Sequence, residues 1–164
     1  MYSLIALVAG SIGVVFGRFL VIPRFSKRPE SLGVTDGQLR PCPNTRNCVN
    51  SQDGSGYTVM ESIPYSGDVD DARSRMVNVI NEMDRAVIVK QTHDYIHAEY
   101  RSLMWNFVDD VELYFDDADH VIHFRSASRF GRGDMGVNRD RMNDLRERFT
   151  GKVEVKEDQS ADKP

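Results

Sequence analysis

Hydrophobic and polar positions divide the chain into three parts. Residues 1–17 carry no charged side chain, Arg18 interrupts, and Phe19, Leu20, Val21 and Ile22 continue to Pro23. A bilayer-spanning helix needs about 20 apolar residues. The stretch reaches that length with Arg18 near an interface, where its stem stays in lipid and its guanidinium reaches the headgroups. Residues 1–23 therefore read as a retained membrane anchor. A cleaved signal peptide is the competing reading, but it calls for a basic start and a small-residue cleavage site. Residues 24–38 read as a linker, and the wider stretch 24–56 is rich in Gly, Pro, Ser, Asn and Asp with no periodicity.

Regular patterns begin after this stretch. Residues 57–63 suggest a first strand. Residues 69–83 suggest a helix capped by Asp68 or Asp70, with Ala72, Met76, Val79, Ile80 and Met83 on one face. Four strand signals follow with short connections, at 86–90, 95–101, 107–115 and 121–125. In the third, Phe107, Val111, Leu113 and Phe115 oppose Asp110, Glu112 and Tyr114. A second helix at 138–149 has Asn138 as N-cap and Met142, Leu145 and Phe149 as its apolar stripe. The order β-α-β-β-β-β-α predicts an α+β domain over 39–150. Its antiparallel sheet carries both helices on one face and leaves the other face more polar. Residues 151–164 read as a disordered polar tail with a short strand at 152–156.

Composition changes this picture little. A net charge of −4 gives no electrostatic footprint for nucleic acid, and none is expected as a partner. The membrane is the expected partner, together with a small ligand or a protein. Orientation receives two opposed cues. Arg18, Arg24, Lys27 and Arg28 flank the apolar run and favour a cytoplasmic domain. The only cysteines, Cys42 and Cys48, favour an oxidising compartment if bonded. Their spacing also admits reduced structural cysteines, and a metal or redox role fits it poorly.

Three constellations carry candidate chemistry. Gly131, Gly133 and Gly136 form a literal G-x-G-x-x-G between a strand and a helix. An antiparallel meander and the carboxylate of Asp134 argue against a dinucleotide site, so no cofactor is expected. Arg125, Ser126, Ser128, Arg129 and Arg139 are anion-binding candidates, although interleaved acids suit a balanced exposed face equally well. Asp109, Asp110, Glu112 and His123 are weak catalytic candidates. Alternation places Asp110 and Glu112 on a face that His97, Glu99, Arg101 and Arg125 can share. On a sheet such groups more often form cross-strand ion pairs, and no metal site is expected.

Three motifs in order resemble the DUF1499 family. They are Pro41-Cys42-Pro43 with Asn47-Cys48-Val49, the run 107–115, and Arg125-Ser126-Ala127-Ser128-Arg129 with Gly131, Asp134, Gly136, Asn138 and Arg139. The resemblance covers about residues 39–149 and brings no assigned biochemical function. It implies that the paired cysteines are a domain feature and that Gly131 and Gly136 recur while position 133 varies. Family members often carry export or membrane-targeting segments, which tilts the expected orientation to the exported side, with the cytoplasmic side as the alternative. The leading expectation is a non-enzymatic, membrane-anchored domain binding a small anionic ligand, a lipid headgroup or a protein. The rivals are an enzyme using the Asp/Glu/His cluster and a structural component of an envelope complex.

Overall fold

The computed structural model describes residues 27–52, 56–103 and 106–151. The apolar segment 1–23 and the strand expected at 152–156 lie outside the described residues. Among the described residues, no helix is long and apolar enough to cross a membrane.

The expected α+β architecture is present, with more strands than the sequence patterns suggest. In chain order the elements are β1 (Val34–Thr35), β2 (Gln38–Leu39), β3 (Cys48–Asn50), β4 (Ile63–Pro64), α1 (Val69–Glu82), β5 (Ala86–Gln91), β6 (Tyr95–Arg101), β7 (Val108–Asp116), β8 (Val121–Ser128) and α2 (Val137–Thr150). The main sheet is antiparallel in the order β3-β8-β7-β6-β5, with β4 also pairing β8. The β5–β8 meander follows the expected order, because each strand alternates and each connection is short enough for a hairpin. Register sets Ile96 beside Leu113 and Leu113 beside Phe124.

Two regions differ from expectation. The stretch 24–56 is not wholly irregular, since it contains β1, β2 and β3. The β1–β2 hairpin turns at Asp36 and Gly37, with φ of 51° and 73°. Positive φ at both central positions matches the twist of a two-residue hairpin, and an Asp-Gly pair tolerates it. β3 exists through pairing with β8, which sets Cys48 opposite Ala127 and Asn50 opposite Arg125. The first strand is also shorter than 57–63: residues 56–58 form a 3-10 turn and only Ile63–Pro64 pairs with β8.

Both helices cover one face of the sheet. On α1, Ala72, Met76 and Ile80 are fully buried, and the Asp68 carboxylate caps its start by accepting from the Asp70 amide at 2.7 Å. On α2 the buried stripe is Met142, Leu145 and Phe149. These side chains meet Ile96, Val111, Leu113, Phe115, Ile122 and Phe124 in one core. The N-cap of α2 is Gly136 rather than Asn138. Its φ of 91° lets the chain double back so that Asp134 accepts from the amides of Gly136 and Asn138, at 3.0 and 2.9 Å. Asn138 lies inside the first turn, buried.

Candidate functional site

The opposite sheet face is polar by sequence, yet it is buried. Residues 95–100 are buried on both sides of β6. The cover is the segment 27–40, a strap that crosses this face before the chain reaches β3. Gly33 donates its amide to Glu112 Oε1 at 2.8 Å, and Arg28 donates from Nε and Nη2 to Glu99 Oε1 at 3.0 and 2.7 Å. Leu39 is buried, and Gln52 ties the hairpin down by accepting from the Leu39 amide and donating to Gly37 O.

Beneath the strap lies a closed ionic network. Glu112, with no exposed surface, accepts from Tyr95 Oη at 2.9 Å and from Arg125 Nη1 at 3.2 Å, its direct cross-strand neighbour. Asp110 accepts from His97 Nε2 at 2.7 Å, and from Arg129 through Nε at 2.8 Å and Nη2 at 2.6 Å. The same Arg129 Nη2 reaches Glu99 Oε1 at 2.6 Å, and Arg101 Nη2 donates to Glu99 Oε2 at 3.1 Å. Three buried carboxylates thus face two buried guanidiniums, His97 and two arginines at the rim.

Such density is tolerable only because the charges are paired and hydrogen-bonded. Burial alone would raise the pKa values of Glu99 and Asp110. The hydrogen bonds from Arg129 and Arg28 to Glu99, and from Arg129 and His97 to Asp110, win and hold both below the usual carboxylate range. With Asp110 ionised, the proton of its bond to His97 resides on Nε2. Burial pushes the Tyr95 phenol far up, helped by the adjacent Glu112. Burial also lowers the Arg125 pKa against the opposing pull of Glu112, and Arg125 Nε has no acceptor among the described residues.

The catalytic candidates divide between the two faces. Asp110 and Glu112 sit in the network. Asp109 projects toward the helices and accepts from Arg141 Nη2 at 2.6 Å. His123 lies on the polar face but outside the network. Its ring stacks on Tyr114 with centroids 6.2 Å apart, its Nδ1 is 3.4 Å from Ser51 Oγ, and burial lowers its pKa.

The anion candidates also divide. Arg125 and Arg129 lie under the strap. Ser126 and Ser128 point to the helix face, where Ser126 donates to Asn138 Oδ1 at 2.6 Å and Asn138 Nδ2 donates to Ser128 Oγ at 2.9 Å. Arg139 lies over the Tyr57 ring at 5.0 Å and donates to the carbonyls of Tyr57 and Val59, locking the 56–58 turn. Asp134 already occupies the start of α2, so the amides there face a carboxylate of the chain itself. Among the described residues, no group of His, Cys, Asp and Glu is arranged to hold a metal ion. Cys42 and Cys48 are bonded, with Cα atoms 5.7 Å apart.

Sequence patterning missed Arg28, the Gly33 amide and the cleft they help to form. This cleft has a volume of about 390 Å³ and lies between the strap and the β5–β6 edge. Pro29, Leu32, Val89 and Tyr95 supply its apolar wall, with Arg28, Lys90 and His97 as basic groups around it. Lys90 Nζ sits over the Tyr95 ring at 5.6 Å, and Glu30 at the rim pairs with Lys27 at 3.4 Å. The Asp36-Gly37 pair is the one local signal that marks the strap's hairpin.

A family model described as "Protein of unknown function (DUF1499)" matches residues 38–149. No curated protein and no solved structure matches the chain.

Proposed function

The chain belongs to the DUF1499 family, and we propose that it is a non-enzymatic binding domain held at a membrane by residues 1–23. Its ligand on this reading is a small phosphate-bearing anion, taken in the cleft beneath the strap. The cleft carries the proposal. It has the size and character of a small-molecule site, a mostly apolar wall with a few convergent polar groups, and Lys90 supplies its cation, beside Glu30 and beside Arg28 and His97, which are bonded to Glu99 and Asp110. Arg28 is five residues beyond Pro23, so on the anchor reading at most about 17 Å of chain separates the cleft rim from the end of the apolar segment.

The state of the acids supports binding over catalysis. A general acid or base needs a pKa near working pH and room to exchange a proton. Asp110 and Glu99 are held ionised by two or more donors each, and Asp109 is turned to the opposite face beside Arg141. The Cys42–Cys48 bond supports placing the domain on the exported side. An alkaline-phosphatase fusion at the C-terminus tests this: activity is expected, and a silent fusion reverses the orientation.

The ligand is tested with the full-length protein in nanodiscs by thermal unfolding. One arm adds inorganic phosphate to phosphatidylcholine discs, and the other replaces part of the lipid with phosphatidylglycerol. Ligand at a hundred times its Kd stabilises by about 2.7 kcal/mol, and Lys90→Glu should abolish that gain. Stabilisation by phosphate identifies a soluble anion, and stabilisation by the anionic lipid alone identifies a headgroup. No stabilisation in either arm, or a gain that Lys90→Glu leaves intact, refutes the reading.

A further inference from the structure

Arg125 is buried with part of its hydrogen-bonding capacity unused. Its side chain is 7% exposed, its Nη1 donates to Glu112 Oε2 at 3.2 Å, and its Nε has no acceptor among the described residues. Nη2 makes no hydrogen bond among those residues either. Nε and Nη2 form the edge of a guanidinium that holds a carboxylate through two parallel bonds. Arg129, further along the chain, uses that edge in this way: Nε reaches Asp110 Oδ2 at 2.8 Å, and Nη2 reaches Asp110 Oδ1 at 2.6 Å. A buried donor left unpaired is costly, so a native fold that keeps one calls for a partner from outside it.

Arg40 brings a second guanidinium to the same place without a counter-charge. Register sets Glu112, Arg125 and Asn50 in one row across β7, β8 and β3. Asn50 Nδ2 donates to the Arg40 carbonyl at 3.0 Å, which holds the last residue of the strap over the end of that row. Arg40 is exposed, donates from Nη1 to Ser31 Oγ at 2.6 Å and makes no ion pair among the described residues. Burial lowers the Arg125 pKa and the Arg40 charge lowers it further, against the pull of Glu112. Asp110 is already matched by Arg129. The guanidiniums of Arg40 and Arg125 are thus set against the single carboxylate of Glu112, and a positive charge is left over where a buried fork is empty.

We infer that the Nε–Nη2 edge of Arg125, together with Arg40, binds the carboxylate of a small monoanionic acid. The leftover charge matches a monoanion, whereas a phosphate dianion would be repelled by the neighbouring Glu112. The planar carboxylate fits the fork as Asp110 fits that of Arg129. Arg40 belongs to the strap and Arg125 to the sheet, so a bound carboxylate joins the two and adds a fastening to those at Arg28, Gly33 and Leu39. The site is separate from the cleft, whose Lys90, Tyr95 and His97 come from β5 and β6, and neither reading depends on the other.

Sodium formate, the smallest carboxylate, is the probe, titrated into the full-length protein in phosphatidylcholine nanodiscs with isotope-labelled arginine. Sodium chloride at equal ionic strength is the reference. The Arg125 Nε–H resonance should shift saturably with formate and stay in place with chloride. Because the signal is read at Arg125 itself, it is independent of any anion in the cleft. Arg40→Gln removes the second cation at an exposed position, so the variant should fold with a melting temperature close to that of the wild type. Its affinity for formate should fall about tenfold, the loss expected for one charge-assisted contact, and Arg40→Lys, which keeps the charge, should recover most of it. A resonance that moves no more with formate than with chloride means that the fork holds only water, and overturns the site. A formate affinity that Arg40→Gln leaves unchanged overturns it as well.

Discussion

Arg129 is the side chain whose removal most directly tests the buried network. Arg129→Met keeps most of the stem's volume and deletes a guanidinium whose side chain is 4% exposed. Asp110 then loses both hydrogen bonds from that residue and keeps only His97, while Glu99 keeps Arg28 and Arg101 at the rim. Removing one partner of a buried pair costs about 3–5 kcal/mol, because the remaining charge stays out of water. Unfolding entropy is about 2.1 cal/mol/K per residue, so over the family domain 1 kcal/mol corresponds to about 4 °C. The melting temperature at pH 7 should fall by about 13–21 °C. The pH dependence separates charge from packing. Glu99 and Asp110 have depressed pKa values in the folded state, so their stabilisation is present above the unfolded carboxylate pKa and is lost as pH falls through the folded values. Without Arg129 that depression is relieved, and the gap between variant and wild type should narrow below about pH 4. Urea and thermal melts of both proteins between pH 7 and pH 3 give the comparison. A loss below about 1 kcal/mol at pH 7, or a gap of constant size across the range, would refute the electrostatic account.

Other perturbations probe separate parts of the fold. Replacing Cys42 and Cys48 by Ala should cost about 2.3 kcal/mol by the chain-entropy relation for so short a loop; urea midpoints that match those of the oxidised protein would contradict it. Asn138→Ala strips partners from Ser126, Ser128 and Asp134 in a buried cluster, and a loss of about 2–4 kcal/mol in urea unfolding is expected. Gly136→Ala meets no close atom, Tyr57 Oη lying 3.7 Å from the new Cβ, so its cost of about 1–2 kcal/mol comes from the φ of 91°. A wild-type melting temperature in that variant would show that the turn relaxes freely. Hydrogen exchange should find the Gly33 amide opening well before those of β7, since its acceptor is the Glu112 carboxylate and lifting the strap exposes charge rather than a core.

The elements legible in the sequence are those that alternate or repeat over a long enough run. Asp110 and Glu112 against Leu113 and Phe115 fix the facing of β7, and Ala72, Met76 and Ile80 fix that of α1. β3 and β4 have three and two residues, too few for any period, and exist through their pairing with β8. The 57–63 run looks extended, but Arg139 holds its start as a turn from 82 residues away. The polar face was legible as polar and illegible as buried. Its cover is a segment without periodicity, and the bond that secures it joins Arg28 to Glu99 across 71 residues. Asn138 has the chemistry of an N-cap, and only the positive φ at Met135 and Gly136 gives that position to the segment led by Asp134.

Burying ions instead of aliphatic side chains beneath the strap has a consequence for access. An apolar face would hold its cover through area, and any opening would expose that area to water. Here the exposed product of opening is a set of carboxylates and guanidiniums, which water solvates well, and the Arg129–Asp110 pair stays within the sheet. The strap is held chiefly at the half-exposed Arg28, at the Gly33 amide and at the Leu39–Gln52 tie. It leads forward through the 42–48 disulfide into β3, so its far end is fixed to the sheet whatever its near end does. Its near end is continuous with the proposed anchor. Displacement of the strap at Lys27 therefore acts first on Arg28, the residue that joins the cleft rim to Glu99. The cleft rim and the strap's near end thus share one residue, Arg28, so the cleft opens when that end of the strap lifts.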